Sequence, residues 1–499
     1  MASPATETVW VLGDQLNRAT GALRGRRPGD VRVLLIESDR RIQARNWHRQ
    51  RLHLYLTAMR RFARELEKSG FEVDYRRAPS FRAGLEEHRR SFRPDTVTAM
   101  TPSRFGAARS LADWNVSLVP NDQFLCSPDA FRAWAGDRQS LRMETFYRWQ
   151  RERTGYLMED GEPAEGRWNY DTENRKPATA DDVWPAPPRA RLDDLDREVL
   201  DDLGNAGFGD DPEGWWATSR RQALGQLRHF VKERLPVFGP HQDALTERSW
   251  HLAHALLSPA LNLGLLHPRE VCDAVEKAYR AGDVPIASAE GFLRQVIGWR
   301  EYVWGLYWLW MPDYRRLNRL EARRALLPCF EAPERTEMRC VAHAVGGVRA
   351  RGWSHHIERL MVLANLALLT EVRPQAFLDW MERSYVDAAE WVMVPNVIGM
   401  GLHADGGRMA SKPYAAGGAY VNRMSDHCGA CRYDPKQRTG ERACPLSSLY
   451  WRFVDRHRER LARNPRTSMA VRSLDKLRDR DATLERANQL LRGLSRGKV

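Results

Sequence analysis

The strand-like segments of this chain are confined to roughly its first 120 residues, where they alternate with helical patterns. Short apolar or β-branched runs occur at 9–12, 31–36, 72–75, 95–99 and 116–119. The clearest helix between them covers about 47–66, because Leu52, Tyr55 and Met59 recur at steps of three and four residues. Strands that alternate with helices form a parallel sheet. We therefore predict an α/β domain with a Rossmann-like parallel sheet over residues 1–130.

The remainder of the chain is predicted to be a connector followed by helices. Residues 155–196 are rich in Pro, Asp, Arg and Asn, which is typical of an extended connector. From about residue 222 onward, apolar side chains recur at helical spacing, as in Leu224, Leu227 and Val231. We predict a connector over 131–221 and a large all-helical domain over 222–499.

Polar residues follow the first two predicted strands. Gly13, Asp14 and Gln15 come after the first strand, and Glu37 comes after the second. Parallel sheets bind ligands at the carboxyl ends of their strands, so these residues are candidates for a binding site. The region has neither a G-x-G-x-x-G motif nor a P-loop lysine, so it indicates neither a nicotinamide site nor a nucleoside triphosphate site.

The charge of the chain favours a polyanionic partner such as DNA. Its 78 Lys and Arg residues exceed its 65 Asp and Glu residues by 13, and its pI is near 9.6. The longest apolar stretch, 361–369, is far shorter than a membrane span of roughly 20 residues, so we expect no membrane association. Residues 1–9 lack the pattern of a secretory signal, so we expect a reducing, cytoplasmic location.

Three cysteines have the spacing of a metal or cluster motif, Cys428-x2-Cys431-x12-Cys444. Cys340 is the best candidate for a fourth ligand, and Cys329 and His427 are alternatives. Thiolate ligation suits both Zn²⁺ and iron–sulfur clusters, and the spacing does not distinguish them.

Two adjacent histidines, His355 and His356, open a helical pattern with an apolar stripe. Histidine exchanges protons near neutral pH, which makes the pair a candidate acid–base group, although a single histidine on such a helix is more often a core residue. The mostly apolar run 390–400 precedes Lys412 and Tyr414, and by itself it is better interpreted as ordinary core than as a cofactor pocket.

Taken together, the segments of this chain resemble the photolyase/cryptochrome superfamily, and within it the bacterial iron–sulfur branch typified by bacterial (6-4) photolyases. The resemblance covers nearly the whole chain, and its segments occur in the order found in the family. They are 10–16, 168–177, 257–264, 291–302, 355–361, 385–400, 412–426 and the four cysteines.

The resemblance implies light-driven reversal of (6-4) pyrimidine–pyrimidone photoproducts in UV-damaged DNA. It implies an N-terminal antenna domain, a helical FAD-binding domain and a C-terminal region with a [4Fe–4S] cluster. The implied cluster ligands are Cys340, Cys428, Cys431 and Cys444. The antenna chromophore of this branch is 6,7-dimethyl-8-ribityllumazine, and its implied contacts are Gly13, Asp14, Gln15 and Glu37.

The family pattern also identifies residues for FAD and its electron supply. Those matched to FAD are Leu257, Ser258, Asn262, Gln295 and Arg300, with Arg300 at the phosphates. Arg359 and Asp387 match a pair beside the flavin ring, and Asn396 is assigned to the group nearest the reactive flavin nitrogen. Trp380 matches a residue that relays electrons to the flavin, and its next partner is not evident because Met381 follows it.

For the lesion, the resemblance implies that His356 donates a proton, with His355 beside it. Trp299 and Tyr414 are assigned to stacking on the lesion. Arg175, Lys176 and Lys412 are assigned to DNA phosphates. The sequence departs from the family pattern at His241 and at Trp353–Ser354, which affects the detail of the pocket.

Two other functions compete with repair. A cryptochrome-like photoreceptor would have the same fold and cofactors, and the retained His356, Tyr414 and basic residues favour repair over it. A zinc-stabilised DNA-binding protein without flavin would account for the cysteines and the charge alone. We expect the protein to be a monomer.

Overall fold

The computed structural model describes residues 6–499 and contains a five-stranded parallel sheet near the N-terminus. The strand order is β3-β2-β1-β4-β5, with every neighbouring pair parallel. The strands are β1 (Glu7–Trp10), β2 (Arg32–Ser38), β3 (Glu72–Ala78), β4 (Thr96–Met100) and β5 (Ser117–Val119). The predicted α/β sheet followed by a helical region is therefore confirmed, and each predicted strand overlaps an observed one.

Alternation along the central strands explains why helices cover both faces of the sheet. Leu34 and Ile36 point to one face, where they pack with Leu85 of the helix after β3. Val33 and Leu35 point to the opposite face, where they pack against the long helix after β2. Successive strand residues face opposite sides, so apolar residues at all of these positions require a cover on each face.

Helices lie between the strands of the sheet and continue in the segment that follows it. They are α1 (Asp39–Gln43), α2 (Arg49–Lys68), α3 (Phe81–Phe92), α4 (Phe105–Asp113), α5 (Pro128–Ala135), α6 (Met143–Thr154) and α7 (Asp194–Leu203). A short hairpin of β6 (Met158–Glu159) and β7 (Glu162–Pro163) lies between α6 and α7.

The remaining chain is helical. Its α-helices are α8 (Arg220–His229), α9 (Ser258–Asn262), α10 (Pro268–Arg280), α11 (Ile286–Leu293), α12 (Glu301–Trp310), α13 (Arg339–Arg351), α14 (Asn365–Leu369), α15 (Pro374–Ser384), α16 (Glu390–Val394), α17 (Gly418–Met424), α18 (Pro445–Arg456), α19 (Arg458–Ala462), α20 (Ser468–Asp475) and α21 (Arg480–Ser495). None of the helices in residues 6–499 is long and apolar enough to cross a bilayer.

Short π-helical segments interrupt or extend several of these helices. They cover Phe230–Arg234, Arg294–Arg300, Glu358–Ala364 and Pro395–Gly401. Three of them carry residues that the sequence assigns to the cofactor, namely Arg300, Arg359 and Asn396. A π-turn inserts one residue into the helix and redirects the side chains around it, which is why such turns often occur at functional sites.

One apolar core continues from the sheet into the helical region. The cluster that contains Val33 of β2 also contains Leu257, Val271 and Phe292 of the helical region. Further along, the ring of Phe124 stacks on that of Trp304 with centroids 3.7 Å apart. These contacts fix the loop before α5 against α12. The division into 1–130, 131–221 and 222–499 stays a prediction.

His48 joins the start of α2 to two elements of the helical region. One ring nitrogen, Nε2, donates to the carbonyl of Arg349, and the other, Nδ1, accepts from the amide of Gln50. The His48 amide donates to the carbonyl of Arg383. Both ring nitrogens can make these hydrogen bonds only when the ring is neutral. Burial favours the neutral form and lowers the pKa of His48 to about 4.

We expect His48→Gln to reduce the acid sensitivity of folding. An unfolded His48 binds a proton below about pH 6.5, whereas the folded one does so only near pH 4, so stability falls as the pH is lowered through this window. The shift corresponds to on the order of 3 kcal/mol. Denaturant unfolding of both proteins at pH 7.5 and pH 4 measures it. An unchanged difference between the two pH values would contradict the assigned neutral state.

Candidate functional site

A charged pair, Arg359 and Asp387, lies at the centre of the helical region. The guanidinium donates two hydrogen bonds to the carboxylate, from Nη1 to Oδ1 at 3.0 Å and from Nη2 to Oδ2 at 3.1 Å. Ser258 donates its hydroxyl to Oδ2 at 2.8 Å, and the Asn262 amide donates to the backbone carbonyl of Asp387 at 2.7 Å. Leu257 precedes this helix turn and is buried. The structure therefore brings together five of the residues assigned to the cofactor.

Arg359 makes two further contacts. Its Nε donates to the carbonyl of Ser354 at 2.7 Å, and its guanidinium lies 4.2 Å from the ring centroid of Tyr385. The hydroxyls of Ser354 and Tyr385 are 3.0 Å apart. A buried charge is tolerated when it is paired and fully hydrogen-bonded, so this cluster can present a fixed, directed charge to a ligand.

Gln295 lies on the π-helical turn Arg294–Arg300, beside unpaired polar atoms. Its amide donates to the carbonyl of Gly291 at 3.1 Å. The buried side-chain oxygens of Asn174 and Gln242 have no hydrogen-bond partner within residues 6–499. A Cβ added at Gly291 would lie 2.6 Å from the Asn174 amide nitrogen, so only glycine fits there. Orphaned acceptors around a glycine form a cradle that suits a polar ligand.

Arg300 and Asn396 are held differently from the residues above. Arg300 pairs with Glu301 at 2.9 Å and lies 4.1 Å from the centroid of Phe124, and its burial lowers the pKa of the guanidinium. The amide of Asn396 donates to the carbonyl of Val392, one turn earlier on its own helix. No hydrogen bond of the described chain joins either residue to the Arg359–Asp387 pair.

Three histidine rings lie close together beside Arg359. His254 stacks on His355, with centroids 4.9 Å apart and planes at 20°, and it meets His356 edge-on at 5.6 Å. His355 is buried, whereas 46% of the His356 side chain is exposed. The exposed ring contacts Asp243, with Nε2 and Oδ1 3.1 Å apart. Sequence reasoning found the adjacent pair but missed His254 and Asp243, which come from distant segments.

Burial and neighbouring cations keep two of the three rings neutral. Desolvation lowers the pKa of His254 and of His355 well below the ordinary value, and repulsion from His356 and Arg359 lowers both further. The adjacent Glu358 is buried, which raises its pKa to about 7, and it accepts a hydrogen bond from the His355 amide. Of the three rings, His356 is the one that solvent and an entering ligand can reach.

Tyr414 and charged residues of the connector lie near Asp243, the partner of the exposed histidine. The charges that act on the Tyr414 hydroxyl include Arg175, Asp171 and Asp243, so the connector and the loop after the last π-turn meet here. Burial raises the pKa of Tyr414. Arg175 is paired with Asp171 and remains largely exposed, as do Lys176 and Lys412. Arg423 over Tyr420 and Arg466 on Ser411 extend this basic rim, and the sequence analysis did not identify them.

Trp299 and Trp380 occupy different surroundings. The nearest aromatic ring to Trp299 is that of Tyr302, at 6.2 Å, and none of the described ring pairs connects it with Tyr414. Trp380 is buried and donates its indole hydrogen to the carbonyl of Phe330 at 2.8 Å. Its ring neighbours are Phe330, Phe377 and Tyr385, the last at 5.9 Å, and Tyr385 lies against Arg359. The structure thus connects Trp380 to the central ion pair through one tyrosine.

Four cysteines line one cleft near the C-terminal helices, and they are Cys340, Cys428, Cys431 and Cys444. Cys329, an alternative from the sequence, is buried in the core and does not line this cleft. Sulfurs that share one Zn²⁺ at 2.3 Å would be roughly 3.8 Å apart. In the described chain no three cysteine sulfurs lie within 4.8 Å of one another. Four thiols that line one cleft can hold a shared inorganic centre, either one Zn²⁺ or an iron–sulfur cluster.

The polar residues at the carboxyl edge of the sheet are anchored by neighbouring strands and α2. Asp14 accepts from the Ser103 hydroxyl, and burial raises its pKa. The Gln15 amide donates to the carbonyl of Met100 at 3.0 Å. Glu37 accepts two hydrogen bonds from Arg60 and one from Tyr75. Gly13 lies against Met59, and a Cβ there would approach its sulfur to 2.9 Å.

Comparisons with known proteins agree with this arrangement. Residues 9–212 match the family model described as deoxyribodipyrimidine photo-lyase-related protein. A (6-4) photolyase of Agrobacterium fabrum is 40% identical over 476 residues, which is 92% of this chain and 94% of that protein.

Two solved structures share the fold. A bacterial class III photolyase from Agrobacterium tumefaciens matches with a TM-score of 0.58 at 17% identity, over 97% of this chain and 92% of its own. A cryptochrome from Synechocystis sp. PCC6803 matches with a TM-score of 0.54 at 14% identity, over 85% of this chain and 89% of its own. Given the identity to the A. fabrum enzyme over almost the whole length of both proteins, this chain belongs to the photolyase/cryptochrome family.

Proposed function

We propose that this protein is a light-driven DNA repair enzyme that reverses (6-4) photoproducts in UV-damaged DNA. The observation that carries the proposal is the position of His356, an exposed histidine three residues before Arg359 whose partner Asp243 also acts on Tyr414. The near full-length similarity to a (6-4) photolyase supports the same reaction.

FAD fits the polar centre of the helical region. When bound and reduced, it supplies the electron that light transfers to the lesion. Ser258, Asn262, Arg359 and Asp387 would hold its ring system, and the unpaired oxygens of Asn174 and Gln242 near Gln295 would accept hydrogen bonds from its polar chain. Leu257 and Asn396 would complete the pocket, and Arg300 would have to exchange its Glu301 partner to reach the phosphates. Trp380 would pass electrons inward, with Tyr385 between it and Arg359.

His356 would hold the proton that the lesion requires. The rings of His355 and His254, whose pKa values burial holds well below the ordinary value, lie beside it. Asp243 accepts a hydrogen bond from the ring and orients it. Flipping a base out of the duplex costs a few kcal/mol, less for a damaged pair, and stacking on Tyr414 would offset part of that cost. Trp299, which is partly exposed, would provide a second stacking surface for the lesion.

The cysteine cleft and the edge of the sheet support two further cofactors. The position of all four cysteines in one cleft supports a [4Fe–4S] cluster on Cys340, Cys428, Cys431 and Cys444, as the family resemblance implies. The buried polar residues Gly13, Asp14, Gln15 and Glu37 support a polar heterocyclic antenna, 6,7-dimethyl-8-ribityllumazine, at the edge of the sheet. We propose that the protein works as a monomer in the cytoplasm.

We expect Cys431→Ala to lose iron and most of its soluble yield, because ligation contributes to folding and one missing thiolate leaves the cluster incompletely held. Cys329→Ala is the matched control, since this buried cysteine lies outside the cleft. Iron content and visible absorption measure the outcome. Full iron content in Cys431→Ala, or equal iron loss in Cys329→Ala, would contradict the assignment.

We expect Arg175→Ala to weaken binding to damaged and undamaged duplex alike, because it removes a phosphate contact. The slope of log affinity against log salt should become shallower by about 1. Arg189→Ala is the control, because this exposed arginine of the connector pairs with Glu213 instead. Fluorescence anisotropy over a salt series measures both slopes, and equal slopes for the two variants would place the DNA elsewhere.

We expect His356→Ala to lose (6-4) repair by about 10² to 10⁴-fold, the usual contribution of a positioned acid–base group. FAD content, iron content and lesion binding should be retained, since the ring is exposed and supports no core packing. His355→Ala should be milder for repair. Repair yield per absorbed photon measures the effect, and a yield near that of the wild type would place the proton donor elsewhere.

A further inference from the structure

The histidine group has a geometry that its proposed role in repair does not require. One ring nitrogen from each of His254, His355 and His356 lies within 4.8 Å of the other two. In a tetrahedral site with zinc–nitrogen distances of 2.0–2.1 Å, such nitrogens would be roughly 3.3 Å apart. The three nitrogens are therefore already grouped around a space close to the size that one ion requires.

The hydrogen bonds of the three rings leave nitrogens free to coordinate. His355 uses Nδ1 to accept from the Ile357 amide, and His356 uses Nε2 toward Asp243. His254 is about nine-tenths buried, and its Nε2 has no hydrogen-bond partner within residues 6–499. An unpartnered buried nitrogen among two other imidazoles is an unsatisfied ligand position rather than a packing detail.

The surroundings also resemble those of known metal sites in two respects. A carboxylate that contacts the second nitrogen of a ligating histidine fixes the ring, and Asp243 occupies that position on His356. The exposed side of His356 provides an entry path and room for a water in the fourth position. Nitrogen ligands of this kind select zinc-class transition ions over Mg²⁺ or Ca²⁺.

We propose that His254, His355 and His356 form a binding site for a zinc-class divalent ion, and that the ion and DNA repair compete for His356. The ion would take a nitrogen of the ring that otherwise carries the proton. The site itself rests on geometry alone, whereas the competition rests on the proposed repair function.

A second group with similar spacing serves as a control. Glu247, His343 and His427 also have ligand atoms within 4.8 Å of one another. Both Glu247 oxygens already accept from Arg339, and Oε1 also contacts His427. This carboxylate is therefore occupied by a cation, so the second group should not bind the ion.

Calorimetric titration of the holoprotein with zinc chloride tests the site. The wild type and His343→Gln should bind one ion per chain with the same affinity. His254→Gln and His356→Gln should bind it at least about tenfold more weakly. The exposed position of His356 ensures that one variant remains folded. No binding by the wild type, unchanged binding by both variants, or loss of binding in His343→Gln would overturn the proposal.

X-ray absorption at the zinc edge identifies the ligands. Nitrogen or oxygen neighbours at about 2.0–2.1 Å are expected, and sulfur neighbours at about 2.3 Å would show that zinc occupies the cysteines instead and would overturn the site.

Repair assays separate this proposal from the proposed function. Saturating zinc should abolish repair by the wild type, and chelation should restore it. Repair that persists at zinc concentrations which saturate the calorimetric site would overturn the competition. A protein that binds zinc as expected but never repairs would refute the proposed function and leave the metal site intact.

Discussion

The ion pair between Arg359 and Asp387 connects the elements around the centre of the helical region. It joins the π-helical segment Glu358–Ala364, the turn before α16 and, through Ser258 and Asn262, the short helix α9. Asp387 is buried, so loss of Arg359 would leave an uncompensated carboxylate, at a cost of up to about 3–5 kcal/mol. The surrounding hydroxyl, amide and carbonyl groups therefore all have to be in place, which gives the pocket a single geometry.

The histidine group depends on this pair. Arg359 is close enough to disfavour a second positive charge on His254 or His355, and burial acts in the same direction. The exposed His356 is the ring that meets both solvent and Asp243. Because His356 is the exposed ring of the three, a proton on it would face whatever ligand enters from the basic rim.

The sequence predicted those features that depend on local patterns. Strand–helix alternation predicted the parallel sheet. Val33 and Leu34 of β2 face opposite sides of it, and helices pack on both sides. The spacing of Cys428, Cys431 and Cys444 indicated a shared site with Cys340 as the best candidate for the fourth ligand, and the structure places Cys340 in the same cleft.

Features that depend on long-range packing could not be found in this way. Asp243 lies 113 residues before His356, and no periodicity links the two. The π-helical turns insert a residue without any sequence signature, so the orientation of Asn396 and Arg300 could not be derived from helical spacing. Arg300, which the family pattern assigns to the FAD phosphates, pairs in the structure with the adjacent Glu301.

The central claim is that this pocket reverses a (6-4) photoproduct. The most direct measurement illuminates the reduced wild-type protein with an oligonucleotide that carries one such lesion, followed by chromatographic separation of the strands. The account predicts light-dependent conversion to the undamaged oligonucleotide, and no conversion in the dark. A protein that contains flavin and binds the lesion, yet leaves it unchanged after illumination, would contradict the account and favour a light-sensing role.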